Sequence, residues 1–226
     1  MNNQEGKLTS ICIEGMDGAG KNTQTTLLVQ LLKRRNNNVE SVSFPNYESL
    51  SSYCLTEIIQ RNGVIDHNDN LKYIKCSAFA MDRAMTIFNK NDTRLYNIIK
   101  TGGTLVFDRY TTSNILHVAS ILDSVSEVDE CIEFIQDIEY NKFKLPKPDH
   151  VFFLDVHPDV SLKNIETRGR DKDLHETPEH LYKVYERSNY IVEKLGWTRI
   201  ECNNVNLTMK SPLEIHFNIC KHLNIA

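Results

Sequence analysis

"EGMDGAGKNTQ", residues Glu14 to Gln24, is the stretch on which the reading of the chain turns. Gly15, Gly20 and Lys21 fit the spacing G-x-x-x-x-G-K. The apolar, β-branched run "LTSICIE" (Leu8–Glu14) precedes them, and "TQTTLLVQLLKRR" follows with apolar side chains at helical spacing. A glycine-rich turn between a strand and a helix lets successive backbone N–H groups converge on phosphate oxygens. The helix then aims its positive end at the same anion, and Lys21 adds a full charge. Two residues depart from this pattern. Asn22 stands where a hydroxyl normally reaches magnesium, leaving its amide oxygen, Thr23 or water to take over that role. Asp17 puts a carboxylate inside an anion-binding loop, so it is expected to face a substrate hydroxyl or the water shell of the metal.

Outward from this loop, strand-like and helix-like segments alternate. "VESVSF" (Val39–Phe44), "TLVFDRY" (Thr104–Tyr110), "HVFFLDV" (His150–Val156) and "WTRIE" read as further strands. Several of them are apolar without alternation, as expected of a parallel sheet covered by helices on both faces. Helices are expected over "SSYCLTEIIQR", "LKYIKCSAFAMDRAMTIFNK", Thr111–Leu122 and Glu127–Phe143. Another is expected after the fourth strand, one begins at the cap Thr177 with Pro178, and one closes the chain on the capping box Ser211 and Glu214. No repeat or long linker interrupts the pattern, so residues 1–226 are read as one α/β domain.

Bulk properties narrow the function. The chain has 226 residues and a formal net charge of −4, without the basic surplus of a nucleic-acid binder. No apolar run approaches the roughly 18 residues of a membrane span, and "MNNQEGKLTS" lacks the apolar core of a secretory signal. The six cysteines form no C-x-x-C pair and mostly sit in apolar segments, which points to buried, reduced thiols in a cytoplasmic protein.

Three further stretches fall beyond the carboxyl ends of strands, where a doubly wound sheet gathers its ligands. "SFPNY" follows the second strand and "DRYTTSNILH" the third. "SAFAMDRA" sets Phe79 and Arg83 four apart on one helix face, an aromatic plate beside a cation; a plainer role for Arg83 is pairing with Asp82 or another carboxylate.

With the glycine loop and its aspartate, the Phe-Pro, the Phe-x-x-x-Arg helix, the Asp-Arg-Tyr and the arginine-bearing "RGRDKD" before Thr177, the chain resembles the thymidylate kinase family from Ile11 to its last helix. "FPNYES" and "DRYTTSNILH" look like a bacterial-type branch of it. The resemblance implies a three-layer α/β/α P-loop kinase fold on a five-stranded parallel sheet, a homodimer, and transfer of the γ-phosphoryl group of ATP to dTMP with Mg²⁺. ATP would meet Gly15, Gly18, Ala19, Gly20, Lys21, Asn22 and Thr23. Asp17 would accept the 3′-hydroxyl of dTMP, Phe79 would stack on the base and Arg83 would donate to its carbonyl edge. Asn114 would contact the base, Phe44 and Pro45 would wall the pocket, and His117 stands where a tyrosine or glutamine often lies under the sugar. Arg109 would hold the acceptor phosphate. Asp108 would organise magnesium-bound water or Arg109, and Asn22 or Thr23 would approach the metal. The loop itself offers no arginine to the transferred group, so a lid at about 168–177 would supply Arg168 or Arg170.

Three rival readings remain. A deoxynucleoside kinase would want a carboxylate base after the second strand, where Glu48 is the only nearby candidate. A kinase for another nucleoside monophosphate fits the motifs less well, and a catalytically weak nucleotide binder is suggested only by Asn22.

Overall fold

The computed structural model describes residues 7–35, 38–49, 51, 55, 71–167 and 177–226. Its centre is a parallel sheet of β1 (Leu8–Gly15), β2 (Val39–Ser43), β3 (Gly103–Asp108), β4 (His150–Asp155) and β5 (Thr198–Glu201), in the order β2-β3-β1-β4-β5. The five strands and their parallel direction match the sequence expectation within one or two residues at each end. Register brings the functional ends together: Ile13 of β1 lies opposite Asp108 of β3, Ser43 of β2 opposite the same Asp108, and Gly15 opposite Leu154 of β4.

The strands are apolar on both sides because both sides are covered. Ile11 and Ile13 point to one face with Val106, Phe152, Leu154 and Ile200, packing against Leu28 of α1 (Lys21–Arg35) and against Ile215 and Ile219. Cys12, Leu105 and Phe107 point to the other face and meet Ile87, Leu95 and Ile98. The period-two geometry of a strand sends neighbouring residues to opposite layers, so a continuous apolar run feeds two cores at once.

The remaining helices are α2 (Leu71–Ile87), α3 (Thr93–Thr101), α4 (Thr111–Val118), α5 (Val125–Gln136), α6 (Pro158–Thr167), α7 (Pro178–Leu195) and α8 (Pro212–His222). Thr177 caps α7, and the Ser211–Glu214 box caps α8, as the sequence predicts. The sequence reading missed α3. It is nine residues long in polar surroundings, and its start rests on the side chain of Asp92, which accepts from the N–H groups of Arg94 and Leu95. Two expected helices are also broken. α4 gives way to a 3₁₀ turn at Ala119–Ile121, and α5 continues as a π-helical turn over Asp137–Lys142. The expected helix over Ser51–Arg61 lies largely outside the described residues, as do Cys54 and the whole of "RGRDKD". The other five cysteines are buried free thiols.

Candidate functional site

The loop after β1 has the backbone its glycines were expected to allow. Gly18 and Gly20 have φ of 82° and 87°, in the left-handed region. At Gly18 a Cβ would lie 2.4 Å from the backbone oxygen of Ser161, so α6 packs directly on the loop and only glycine fits. Lys21, the first residue of α1, folds back and donates to the carbonyls of Gly15 and Met16, both at 2.8 Å. Its ammonium is pushed down to about 8, first by burial and then by the nearby Arg109 charge. Ala19 is buried, while Asn22 and Thr23 are exposed at the start of α1.

Asp17 does not point at a bare anion site. Its carboxylate accepts from the guanidinium of Arg109 and lies 3.9 Å from the Lys21 ammonium. Burial opposes its ionisation, yet these cations hold it well below the ordinary carboxylate range. Arg109 itself has φ of 65°, a left-handed turn that carries its side chain from the end of β3 back over the glycine loop. Its other arm meets His117 Nε2 at 3.2 Å, and His117 Nδ1 lies 3.2 Å from His180 Nε2 of α7.

Asp108 is 7% exposed, and its carboxylate has no hydrogen bond or ion pair among the described residues. It borders a cavity of about 220 Å³ that Asn22, Thr25, Ser41 and Ser43 also line. The hydroxyl of Thr25 is likewise buried without a partner. A buried carboxylate and hydroxyl left unsatisfied beside an exposed amide fit a hydrated divalent cation, which takes oxygen ligands and keeps much of its water.

The second half of the site gathers on Glu139, in the π-helical turn. Arg83 of α2 pairs with it through two nitrogens, at 2.7 and 2.6 Å, and not with Asp82. Asp82 instead accepts from the Asn46 N–H and from the hydroxyls of Ser49 and Ser51, which pins the loop after β2 to α2. Asn114 donates to Glu139 and to the Cys76 carbonyl, both at 3.1 Å, and Thr111 donates to Glu139 at 2.6 Å. Phe79 is half-buried and joins no buried apolar cluster among the described residues, leaving a ring one helical turn from Arg83. Phe44 is placed differently: at 3% exposure it packs with Phe107 and Tyr110 in the core, and the half-buried Pro45 follows it across a cis peptide bond.

α4 joins the two halves. Thr111 and Asn114 reach Glu139, while Thr112 and Ser113 donate to Glu14 at 2.6 and 2.7 Å, and Glu14 also accepts from the Gly15 N–H. The sequence reading missed both glutamates. Glu139 left one signal, since with Ile132 and Ile135 it continues the buried stripe of α5 at spacings of three and four. A carboxylate on such a stripe marks a buried ion pair, although nothing local names its partner, 56 residues away.

The comparisons with known proteins bear on this arrangement. A family model described as thymidylate kinase matches residues 13–210. A probable thymidylate kinase of Methanocaldococcus jannaschii is 32% identical over 216 residues, covering 94% of each chain. The thymidylate kinase of Mycobacterium tuberculosis is 27% identical over 190 residues, covering 82% of this chain and 81% of that protein. In fold, the chain is similar to the thymidylate kinase structure from Candida albicans, with a TM-score of 0.68 at 16% identity over 96% of this chain and 92% of that one. A family match over most of the chain, on the expected five-stranded parallel sheet, places it: the protein belongs to the thymidylate kinase family and is an ATP-dependent nucleotide kinase.

Proposed function

We propose that the protein transfers the γ-phosphoryl group of ATP to dTMP, giving dTDP and ADP. The observation that carries this reading is the Lys21–Asp17–Arg109 cluster at the end of β1, joined through α4 to the Arg83–Glu139–Asn114 cluster. One cluster suits two phosphate chains and the other a base.

The chemistry follows from charge and position. The second ionisation of a phosphate monoester has a pKa of about 6, so the acceptor oxygen is already a nucleophile near neutrality and needs no general base. The loop N–H groups and Lys21 hold the donor phosphates, and Arg109 draws the acceptor phosphate toward them. Asp108, through water, and Asn22 or Thr23 would hold Mg²⁺, which would supply charge neutralisation to the donor phosphates when bound. Asp17 orients Arg109 and accepts the sugar hydroxyl, with His117 beside it. Phe79 covers the base, Arg83 and Asn114 meet its edge, and Pro45 borders the pocket. Phe44 supports that wall from the core.

Arg168 and Arg170 lie outside the described residues; we assign to one of them the cation that closes over the transferred group. We further read residues 1–226 as one domain in a reducing, cytoplasmic setting, consistent with the buried free thiols. No helix among the described residues is long and apolar enough to cross a membrane, and ATP and dTMP, with neither nucleic acid nor membrane, are the partners. A homodimer would pack through α2.

Steady-state assays with ATP and Mg²⁺ test the proposal. The highest kcat/KM is expected for dTMP over dUMP, UMP and dGMP, and no turnover is expected of thymidine. Preference for thymidine would identify a nucleoside kinase, and nucleotide binding without dTDP would identify an inactive relative.

A further inference from the structure

Glu139 is fully buried and accepts four hydrogen bonds: from Arg83 Nε and Thr111 Oγ1 on Oε2, and from Arg83 Nη2 and Asn114 Nδ2 on Oε1. An ionised carboxyl has about four lone-pair positions, so these donors saturate it and it has nothing to offer a ligand directly. Its influence falls on its neighbours. The Asn114 amide faces Glu139 Oε1 and the Cys76 carbonyl, and both of these only accept. Chemistry therefore requires Nδ2 on that side and turns Oδ1 the other way, independently of how amide atoms are assigned. The Nε and Nη2 edge of Arg83 is consumed in the same manner, which leaves Nη1. Among the described residues neither Asn114 Oδ1 nor Arg83 Nη1 has a hydrogen-bond partner, and neither is sealed from solvent.

We propose that Glu139 is a positioning residue that sets the hydrogen-bond polarity of the base pocket, presenting an Arg83 donor beside an Asn114 acceptor. This deepens the function proposed above and rests on its reading that Arg83 and Asn114 meet the base. A donor next to an acceptor complements a pyrimidine edge that carries a carbonyl beside a ring N–H. It opposes an edge with an amino group beside a bare ring nitrogen, where donor would face donor and acceptor would face acceptor. A buried network that fixes polarity rejects the mismatched base more strongly than pocket shape alone, because the mismatch leaves buried groups unpaired.

Glu139→Gln tests this. The variant amide keeps the size of the side chain but can donate, which leaves the Cys76 carbonyl as the one acceptor-only group holding the orientation of Asn114 and loosens the Arg83 fork. The ratio of kcat/KM for dTMP over dCMP is expected to fall by about tenfold or more, through KM for the two acceptors, while KM for ATP stays at the parental value. Glu139→Asp keeps an acceptor-only anion and is expected to retain most of the ratio even where turnover drops. An unchanged ratio in Glu139→Gln with a parental KM for ATP would overturn the inference. If Glu139→Gln does not fold, the parental protein decides the matter with dTMP methylated at N3, which lacks the ring N–H. Its kcat/KM is expected to fall by about a hundredfold or more, and turnover equal to that of dTMP would overturn the assignment. A parental protein that leaves dTMP unphosphorylated would instead sink the functional reading itself.

Discussion

Lys21 shows how one residue carries a measurable consequence. Burial and the Arg109 charge bring its ammonium down to about 8, from an ordinary 10.5. The pH dependence of kcat/KM reports the free enzyme, so kcat/KM for ATP is expected to fall as pH rises through about 8. Bound phosphates favour the charged form, so kcat should hold to higher pH. A kcat/KM for ATP that is flat between about pH 7 and 9 would contradict this. The sign for stability is the reverse of the usual lysine case. Below about 8 both folded and unfolded chains are protonated and the cost of burying the charge is fully present. Between there and 10.5 the unfolded chain binds more protons, so this contribution to stability rises with pH. Asp17 and Arg109 were legible as site residues from their motifs, but their pairing was not, since 92 positions separate them.

α4 is only eight residues long, yet its first two turns hold Thr111, Thr112, Ser113, Asn114 and His117 against Glu139, Glu14, the Cys76 carbonyl and Arg109. Its sequence offers Asn114 and His117 as site candidates, but the tasks of Thr111, Thr112 and Ser113 appear only when Glu14 and Glu139 are brought to it. Helix ends, by contrast, are local and were readable. The Ser211 hydroxyl accepts from the Glu214 N–H, and Glu214 returns to the Ser211 N–H at 2.8 Å. Ser211→Ala is expected to cost about 1 kcal/mol and to lower Tm by roughly 2–4 °C in a thermal melt, with kcat/KM for dTMP unchanged. At the lid, one of Arg168→Ala and Arg170→Ala is expected to lower kcat by about a hundredfold or more, with KM for dTMP nearly unchanged. Parental kcat in both variants would remove the lid from the mechanism.

At the scale of the whole molecule, the assembly depends on which apolar faces the fold consumes. α4 buries Ile115, Leu116 and Val118 within the fold. α2 and Phe88 just past its end instead leave Ile74, Met81, Met85 and Phe88 between 39% and 48% exposed, at helical spacings of seven, four and three. A dimer through α2 would set the contact on the same helix as Phe79 and Arg83. Met85→Glu combined with Phe88→Glu is therefore expected to shift a dimer to monomer in analytical ultracentrifugation. A parental protein that sediments as a monomer at micromolar concentration would rule out this interface.

What the sequence determined by itself is what short-range physics encodes. The glycine loop between strand and helix, the apolar strands and the caps at Thr177 and Ser211 all depend on neighbours within a few positions. The tertiary structure alone decided the strand order, the break of α5 into a π-helical turn, and the partner of each buried charge. Asp17 pairs with Arg109 in a partly buried site, and Arg83 with Glu139 in the interior, because the fold brings them within hydrogen-bonding distance. Electrostatic pairing depends on distance and burial, and neither is written in the spacing along the chain.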